Sequence, residues 1–233
     1  MAISAELKKL RAANKGLAIR DVSDASFAKY GRVLSIGKAA KAVAFAKKNA
    51  IVGSGIVYEP SVKGLEADAE FMKAAGELVY GGMPIQMGWC YGHNSRLDGL
   101  EYHKGNEVVV AVTDFVALVG LQQDIAYGAK GASYASKKAE AFYVKAGTVV
   151  EFHAWCLHFA PIHVKSKTGF ITLVVLPKDT NTDIKRPAKA KGEAAILFAR
   201  NKWLIVHKSA TGLVKAGAAV GITGTNTVVN PAS

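Results

Sequence analysis

The sequence predicts a mainly β protein, a β-sandwich or jelly roll that carries helices at its N-terminus. Amphipathic, lysine-rich segments occupy the chain before residue 80, and short β-rich runs separated by turn residues follow Gly81. Helices and strands do not alternate, which argues against a parallel α/β sheet. We therefore expect a helical cap over residues 1–80 and a β-barrel over residues 81–233, packed as one compact unit.

Helices are expected in three N-terminal segments. Residues 4–14 and 36–49 place apolar side chains at helical spacing between lysines, and residues 66–77 contain a similar apolar stripe that ends close to Gly76. A short helix is also expected after Asp24, whose side chain suits an N-cap.

Strands are expected where β-branched and aromatic residues cluster between turn signals such as Gly105-Asn and Lys145-Ala-Gly. The polar segment 178–193 is expected to form an exposed loop. The predicted strand runs are residues 85–91, 107–112, 114–119, 141–144, 148–153, 170–176 and 202–207.

The composition narrows the class of protein. Cys90 and Cys156 lie far apart in apolar runs, which argues against a disulfide scaffold and indicates a reduced compartment. We find no signal-peptide pattern and no membrane-spanning run, so we expect a cytoplasmic protein.

The net charge of +12 permits nucleic-acid binding, but the lysines alternate mainly with alanine rather than with aromatic residues. Nucleic acid is therefore an unlikely partner, and the charge is interpreted as a solvated surface.

The segment from Leu100 to Glu107 contains the first group of candidate metal-binding or acid/base residues. Side chains two residues apart on a strand point to the same face, so Glu101 and His103 should project together. Glu107 follows a Gly-Asn turn and can return to that face on the next strand. Two carboxylates and an imidazole on one wall form either a divalent-metal site or an acid/base pair. A surface ion pair between Glu101 and His103 is the alternative.

Glu151, His153 and His158 form a second group. Strict alternation puts Glu151 and His153 on one face, and His158 joins them only if a bend near residues 154–155 resets the phase. His158 on an apolar strand is alternatively an ordinary core histidine.

These segments resemble the two motifs of the cupin superfamily. Motif one corresponds to Glu101-Tyr-His103 with Glu107, and motif two to the turn at 145–147 followed by Glu151, His153 and His158. The resemblance implies a cupin-type double-stranded β-helix, the jelly roll. Glu101 departs from the family pattern, because most metal cupins have histidine there, and the spacing in motif two is longer than usual.

A closer resemblance is to a bacterial family of cupin-like proteins and covers most of residues 20–230. Its pattern includes Leu-His-x-Ala-Pro, which favours His158 together with Glu151 as the inward pair. The matching segments are residues 81–86, 100–105, 112–115, 123–125, 138–142, 157–161 and 176–178.

Two more distant resemblances bear on the reaction. Glu101-Tyr-His103 with Glu107, and Phe152-His153 with His158, are similar to elements of ureidoglycolate lyase. Sugar isomerases of the lyxose isomerase type place a lysine between the motif-one ligands and the glutamate, as Lys104 stands here. By alternation alone, Lys104 is a surface lysine.

We therefore predict a metal-dependent cupin enzyme, a sugar or sugar-acid isomerase or epimerase, which acts on a small hydroxylated or keto substrate. The alternatives are an ureidoglycolate-type lyase and a non-catalytic carbohydrate-binding cupin module. A divalent Mn, Fe, Ni or Zn ion and a homodimer are expected. The predicted metal ligands are Glu101, His103 and His158, the catalytic residues Glu107, Glu151 and Lys104, and the substrate-binding residues Gln86, Asn94 and His153.

Overall fold

A computed structural model describes residues 3–232 of the chain. The α-helices are α1 (Ala5–Ala13), α2 (Ala40–Asn49), α3 (Lys63–Glu66), α4 (Ala69–Leu78) and α5 (Thr211–Lys215), with short 3-10 helices at Ala25–Lys29, Gln122–Asp124, Ser136–Lys138 and Gly192–Ile196. The strands are β1 (Ile19–Asp21), β2 (Gly31–Val33), β3 (Ile56–Glu59), β4 (Ile85–Gly92), β5 (Gly99–Tyr102), β6 (Glu107–Ala111), β7 (Phe115–Leu121), β8 (Ala126–Gly128), β9 (Gly131–Ala135), β10 (Glu140–Val144), β11 (Val149–Phe152), β12 (Cys156–Leu157), β13 (Ile162–His163), β14 (Phe170–Pro177), β15 (Leu197–Ala199), β16 (Lys202–His207) and β17 (Ala219–Thr223).

The central strands form two sheets in jelly-roll order. One sheet contains the path β11-β6-β14-β4. The other contains β10-β7-β12, and a bridge between Glu101 and His158 joins β5 to β12. Successive strands pass from one sheet to the other, which is the connectivity of a jelly roll. The predicted mainly β, jelly-roll fold is confirmed.

The N-terminal segment contributes strands as well as the predicted helices. Helices α1, α2 and α4 lie close to their predicted positions, and Asp24 caps the 3-10 helix by accepting a hydrogen bond from the Ser26 amide at 2.9 Å. Strands β1, β2 and β3 pair with β10, β11 and β4 at the edges of the two central sheets. These short strands were not predicted from the sequence. The division into units at residue 80 stays a prediction.

The first sheet is buried on both faces, which explains its continuous apolar runs. Val109 and Ala111 of β6 face the space between the two sheets, whereas Val108 and Val110 pack beneath the helices. Phe71 and Ala75 of α4 cover this outer face. Burial of both faces removes the polar alternation that a half-exposed strand would show.

A C-terminal sheet extends the barrel. Strand β5 pairs with β16 as well as with the β12 segment, so it joins the C-terminal sheet to the jelly roll.

Within residues 3–232, segment 178–191 contains no helix or strand, in agreement with the predicted loop. No helix of the described chain is long and apolar enough to cross a bilayer.

Candidate metal centre

Glu101 and His103 project into the jelly roll from the end of β5. Leu100 and Tyr102, which flank Glu101, pack on the opposite side against the core that includes Ile205. The Glu101 residue is 8% exposed and His103 is 1% exposed. The predicted shared face is therefore confirmed, and a surface ion pair is excluded because both residues are buried.

His158 is placed opposite Glu101 by the backbone. The Glu101 amide donates to the His158 carbonyl at 2.6 Å, and the His158 amide donates to the Glu101 carbonyl at 2.9 Å. Residues that exchange both hydrogen bonds across antiparallel strands direct their side chains to the same face. The side chain of His158 also stacks on Phe152, with ring centroids 5.2 Å apart.

Glu107 lies between the two imidazoles. It begins β6, and its side chain shares the inward face of Val109. Its Oε2 atom is 3.4 Å from His103 Nε2 and 3.3 Å from His158 Nε2, while Glu101 Oε1 is 4.0 Å from His103 Nε2. Four residues from three segments of the chain thus converge at one buried point.

The hydrogen bonds of the imidazoles leave their Nε2 atoms directed at this point. His103 Nδ1 donates to the Asn201 carbonyl at 2.7 Å, and His158 Nδ1 donates to the Cys156 carbonyl at 3.0 Å, since a carbonyl can only accept. Both Nε2 atoms are buried without a hydrogen bond. A backbone partner on one ring nitrogen and a free second nitrogen is the usual arrangement of metal-ligating histidine.

Electrostatic coupling favours the charged forms of Glu107 and His158. Burial opposes ionisation of Glu107, but the adjacent His158 and His103 lower the pKa of its carboxyl well below the usual value. Burial also disfavours a charged His158, but Glu107 outweighs this effect and raises the imidazole pKa well above 6.5. A buried imidazolium facing a carboxylate is the arrangement expected where a cation can replace the proton.

The residues fit a divalent metal ion. One ligand atom from each of Glu101, His103 and His158 lies within 4.8 Å of the others, and all three residues are buried. Neither Nε2 atom makes a hydrogen bond, and the charged group nearest to both is the Glu107 carboxylate. A mixed carboxylate–imidazole set suits Mn, Fe, Ni or Zn. The structure brings together the three residues predicted as ligands.

Two connected cavities give access to this group. The inner cavity is small, about 40 Å³, and is lined by Glu101, Glu107 and His158 among mainly apolar residues. The outer cavity, about 510 Å³, shares Glu101 and Phe159 with the inner one and opens along β16 and α5. A small molecule entering the outer cavity therefore meets the carboxylate of Glu101 at the boundary between the two.

Lys202 stands at this boundary and was not predicted from the sequence. Its ammonium contacts Glu101 Oε2, and its side chain is only 14% exposed. The rings of Tyr58 and Phe159 lie 6.0 and 5.8 Å from the ammonium. The run at residues 202–207 is recognisable as a strand, but only the pairing of β16 with β5 brings its first residue to Glu101.

Glu151 is not at the site. It lies on the outer face of the first sheet, where Arg32 pairs with its Oε2 and Asn106 donates to its Oε1 at 2.5 Å. Phe152, the next residue, takes the inward position instead and stacks on His158. The expectation that Glu151 accompanies His158 is wrong, because no bend resets the phase. Phe152 and His158 lie six positions apart and share the inward side, as strict alternation requires.

Lys104 is also outside the site. It is exposed, its ammonium is 3.0 Å from Glu193 Oε2, and it lies 4.7 Å from the centroid of the Trp203 ring. Alternation along the strand gives this outward direction, so the alternative of a surface lysine is the correct one. The catalytic role inferred by resemblance has no geometric basis.

The predicted substrate-binding residues support loops instead. Gln86 donates to the Thr180 carbonyl at 2.9 Å and accepts from the Asp179 amide, so it fixes the loop after β14. Asn94 donates to the Ala160 carbonyl at 2.9 Å and thereby holds one wall of the cavities. His153 lies against Trp155, with ring centroids 4.7 Å apart. None of the three side chains lines either cavity.

Comparison with known proteins identifies a family and several distant structures. A family model described as "Domain of unknown function (DUF4867)" matches residues 19–227. No curated protein sequence matches the chain. The resemblance to ureidoglycolate lyase stays a prediction.

The similar solved structures include three enzymes. The non-heme alpha ketoglutarate dependent epimerase SnoN from nogalamycin biosynthesis is 14% identical over 76% of this chain and 84% of its own, with a TM-score of 0.39. The L-ribose isomerase of Cellulomonas parahominis is 13% identical over 73% and 75%, with a TM-score of 0.36. A variant of the oxalate decarboxylase of B. subtilis is 14% identical over 56% and 27%, with a TM-score of 0.31. These values do not identify a substrate.

Proposed function

The chain belongs to the DUF4867 family, a domain of unknown function, and from its buried site we propose that it is a metal-dependent enzyme. The observation that carries the proposal is the pair of buried Nε2 atoms on His103 and His158, neither of which makes a hydrogen bond. Both nitrogens face Glu107 Oε2, at 3.4 and 3.3 Å, so the two imidazoles and this carboxylate converge on one buried point. A bound cation would replace the proton between them.

The proposed ligands are Glu101, His103 and His158, and the proposed ion is divalent Mn, Fe, Ni or Zn. Bound there, such an ion supplies Lewis acidity, which polarises a carbonyl or hydroxyl group of a substrate. The backbone hydrogen bonds of both imidazoles keep their Nε2 atoms in position before the ion binds.

Glu107 is the proposed proton-transfer group. Of the groups that line the inner cavity, Tyr58 and Cys90 stay protonated because burial raises the pKa of each. The carboxylates of Glu101 and Glu107 are then the acceptors near the ligand atoms, and Glu101 is already engaged by Lys202. Glu107 remains free to take a proton from a substrate carbon or hydroxyl.

This combination supports chemistry on a small hydroxylated or keto substrate, with isomerisation or epimerisation as the proposed reaction. Both reactions remove a proton beside a carbonyl and return it, which requires a polarising group and a base in a cavity that limits water. Glu151 and Lys104 have no part in this proposal, because their side chains lie elsewhere. The homodimer stays a prediction.

The metal site is tested by elemental analysis. Purified wild-type protein, Glu101→Gln, His103→Gln and His158→Gln are dialysed against each of the four ions, freed of excess and analysed for bound metal. We expect about one ion per wild-type chain and less than about a tenth of that in each variant. His153→Gln serves as the control, since His153 lies outside both cavities. Equal metal content in wild type and the three ligand variants would refute the site.

The reaction class is tested by hydrogen exchange with solvent. Metal-loaded protein is incubated in D₂O with a panel of aldoses, ketoses and hydroxy or keto acids, and deuterium at carbon is followed by NMR. Exchange at the carbon beside a carbonyl supports an isomerase or epimerase. Tight binding of a panel member without any exchange would instead indicate a binding module.

A further inference from the structure

Lys202 is a buried cation that the proposed function does not use. It lines the outer cavity, and its ammonium lies 6.0 and 5.8 Å from the ring centroids of Tyr58 and Phe159, which line both cavities. Among residues 3–232, Glu101 is the one polar side chain or carbonyl that contacts its ammonium. An ammonium has three donors, so this single partner leaves hydrogen-bonding capacity directed into the cavity.

The charges at the site do not balance once a metal ion is bound. A dication is neutralised by the carboxylates of Glu101 and Glu107, and the ligating imidazoles are neutral. The ammonium of Lys202 then remains as one uncompensated positive charge in a largely buried position. An unpaired buried charge is costly, which makes the position attractive for an anion.

Neighbouring acids do not supply this anion. Asp98 also lines the outer cavity, but it is partly exposed and accepts a hydrogen bond from Asn226 at 2.8 Å. Glu193, the other acid near this end of β16, is engaged by Tyr102 and by the exposed Lys104.

Apart from Ser209 and Thr211, the remaining walls of the outer cavity are apolar. Phe159, Phe198, Leu204 and Leu213 line it on the side beyond Lys202. A polyol would lose its hydrogen bonds to water against such walls, whereas a hydrocarbon chain would gain from burial. The cavity therefore suits a ligand with one charged end and an apolar remainder.

On this basis we propose that the substrate is a hydroxy or keto acid with a hydrocarbon chain, and that Lys202 binds its carboxylate. This inference rests on the proposed function, because the hydroxyl or keto oxygen would face the metal position while the carboxylate pairs with Lys202. One ammonium matches a monoanionic carboxylate better than a dianionic phosphate, and it gives a neutral sugar no advantage.

The test compares probes that differ chiefly in charge. Mn²⁺-loaded wild-type protein is titrated calorimetrically with 2-hydroxy-4-methylpentanoate, with its uncharged primary amide and with 3-methylbutyl phosphate. We expect the acid to bind at least about tenfold more tightly than the amide. Equal binding of acid and amide, or tighter binding of the phosphate, would overturn the inference.

Variants assign the preference to the side chain. Lys202→Met keeps most of the length of the stem and removes the charge, so the acid should lose at least about tenfold in affinity while the amide is unchanged. Lys202→Arg should retain a preference for the acid. Lys104→Met is the matched control, an exposed lysine that lines neither cavity. A preference that survives in Lys202→Met would contradict the assignment.

Metal analysis of the same samples separates the two proposals. If wild-type protein binds no Mn²⁺ and no other ion, the proposed function fails. If it binds Mn²⁺ but has the same affinity for the acid and the amide, only the carboxylate inference fails. Lys202→Met should retain its metal at saturating Mn²⁺, since the ligands of the proposed site are intact.

Discussion

Glu101 and His158 exchange both of their backbone hydrogen bonds, and this pairing of distant segments positions the candidate metal centre. The two residues lie on β5 and next to β12, which are otherwise attached to different neighbours, β16 and β7. The site therefore forms only when the C-terminal sheet, β5 and the jelly roll are all assembled. Metal affinity should accordingly be a sensitive indicator of native structure.

Replacing Glu107 should separate proton transfer from metal binding. In Glu107→Gln we expect at least half of the bound metal to remain, because Glu101, His103 and His158 are intact, whereas deuterium exchange into a substrate should fall by about a hundredfold or more. Bound metal and exchange are measured on the same preparation. Loss of the metal in this variant would instead identify Glu107 as a ligand.

Arg32 should contribute to stability and not to the site. Its partner Glu151 is 1% exposed, so Arg32→Met leaves a buried carboxylate with Asn106 as its remaining side-chain donor. Because more than half of the Arg32 side chain is exposed, we expect a loss of only about 1–2 kcal/mol in the free energy of unfolding, measured with urea. Bound metal should not change. Lys73→Met, which removes an exposed helical pair with Glu77, should be nearly neutral.

Glu140 should make stability fall at acid pH. Burial alone would raise its pKa, but the hydrogen bond from Tyr30 and the charges of Lys29 and Arg20 lower the pKa below 4.5. A carboxyl with a lower pKa in the folded state stabilises the protein above its unfolded pKa, and this contribution disappears as the pH falls through the folded value.

Urea unfolding at pH 6 and at pH 3 tests this linkage. Glu140→Gln should be less stable than wild type at pH 6, and the difference should shrink at pH 3. Glu77→Gln changes an exposed acid on α4, and its free energy of unfolding should equal that of wild type at both pH values. A constant difference between Glu140→Gln and wild type across this range would contradict the linkage.

The two thiols should be inert in the native protein. Cys90 and Cys156 are free and buried, and burial raises the pKa of both. We expect no reaction with a disulfide reagent at pH 8 under native conditions, and reaction of both thiols in denaturant. Rapid native labelling of Cys90, which lines both cavities, would show that the reagent reaches this thiol through them.

Local patterns in the sequence predict much of this architecture. The turn at Gly147, where φ is +84°, and the apolar runs of β6 and β14 are visible without a structure. The same holds for the shared face of Glu101 and His103, since alternation along one strand is a local property. The edge strands β1 to β3 were not recognised, because three or four residues give too short a pattern for periodicity to be detected.

Strict alternation also gives the observed phase of Glu151 and His158. The two residues are seven positions apart and lie on opposite sides, and the pairing was predicted wrongly because a bend that resets the phase was assumed. Local patterns gave no correct role for Gln86 and Asn94. Their amides are polar and central in the sequence, but they serve the backbone of neighbouring loops.

Residue types and spacing within single segments were enough to predict the mainly β class, the positions of the main helices, the candidate ligands Glu101 and His103, and the outward direction of Lys104. His158 was added as a ligand through the resemblance to the cupin motifs. The position of Glu107 between the two imidazoles and the contact of Lys202 with the site arise from the packing of the folded chain. The physical reason is that pairing between distant strands, such as β5 with β16, depends on the whole barrel and leaves no signature in local periodicity.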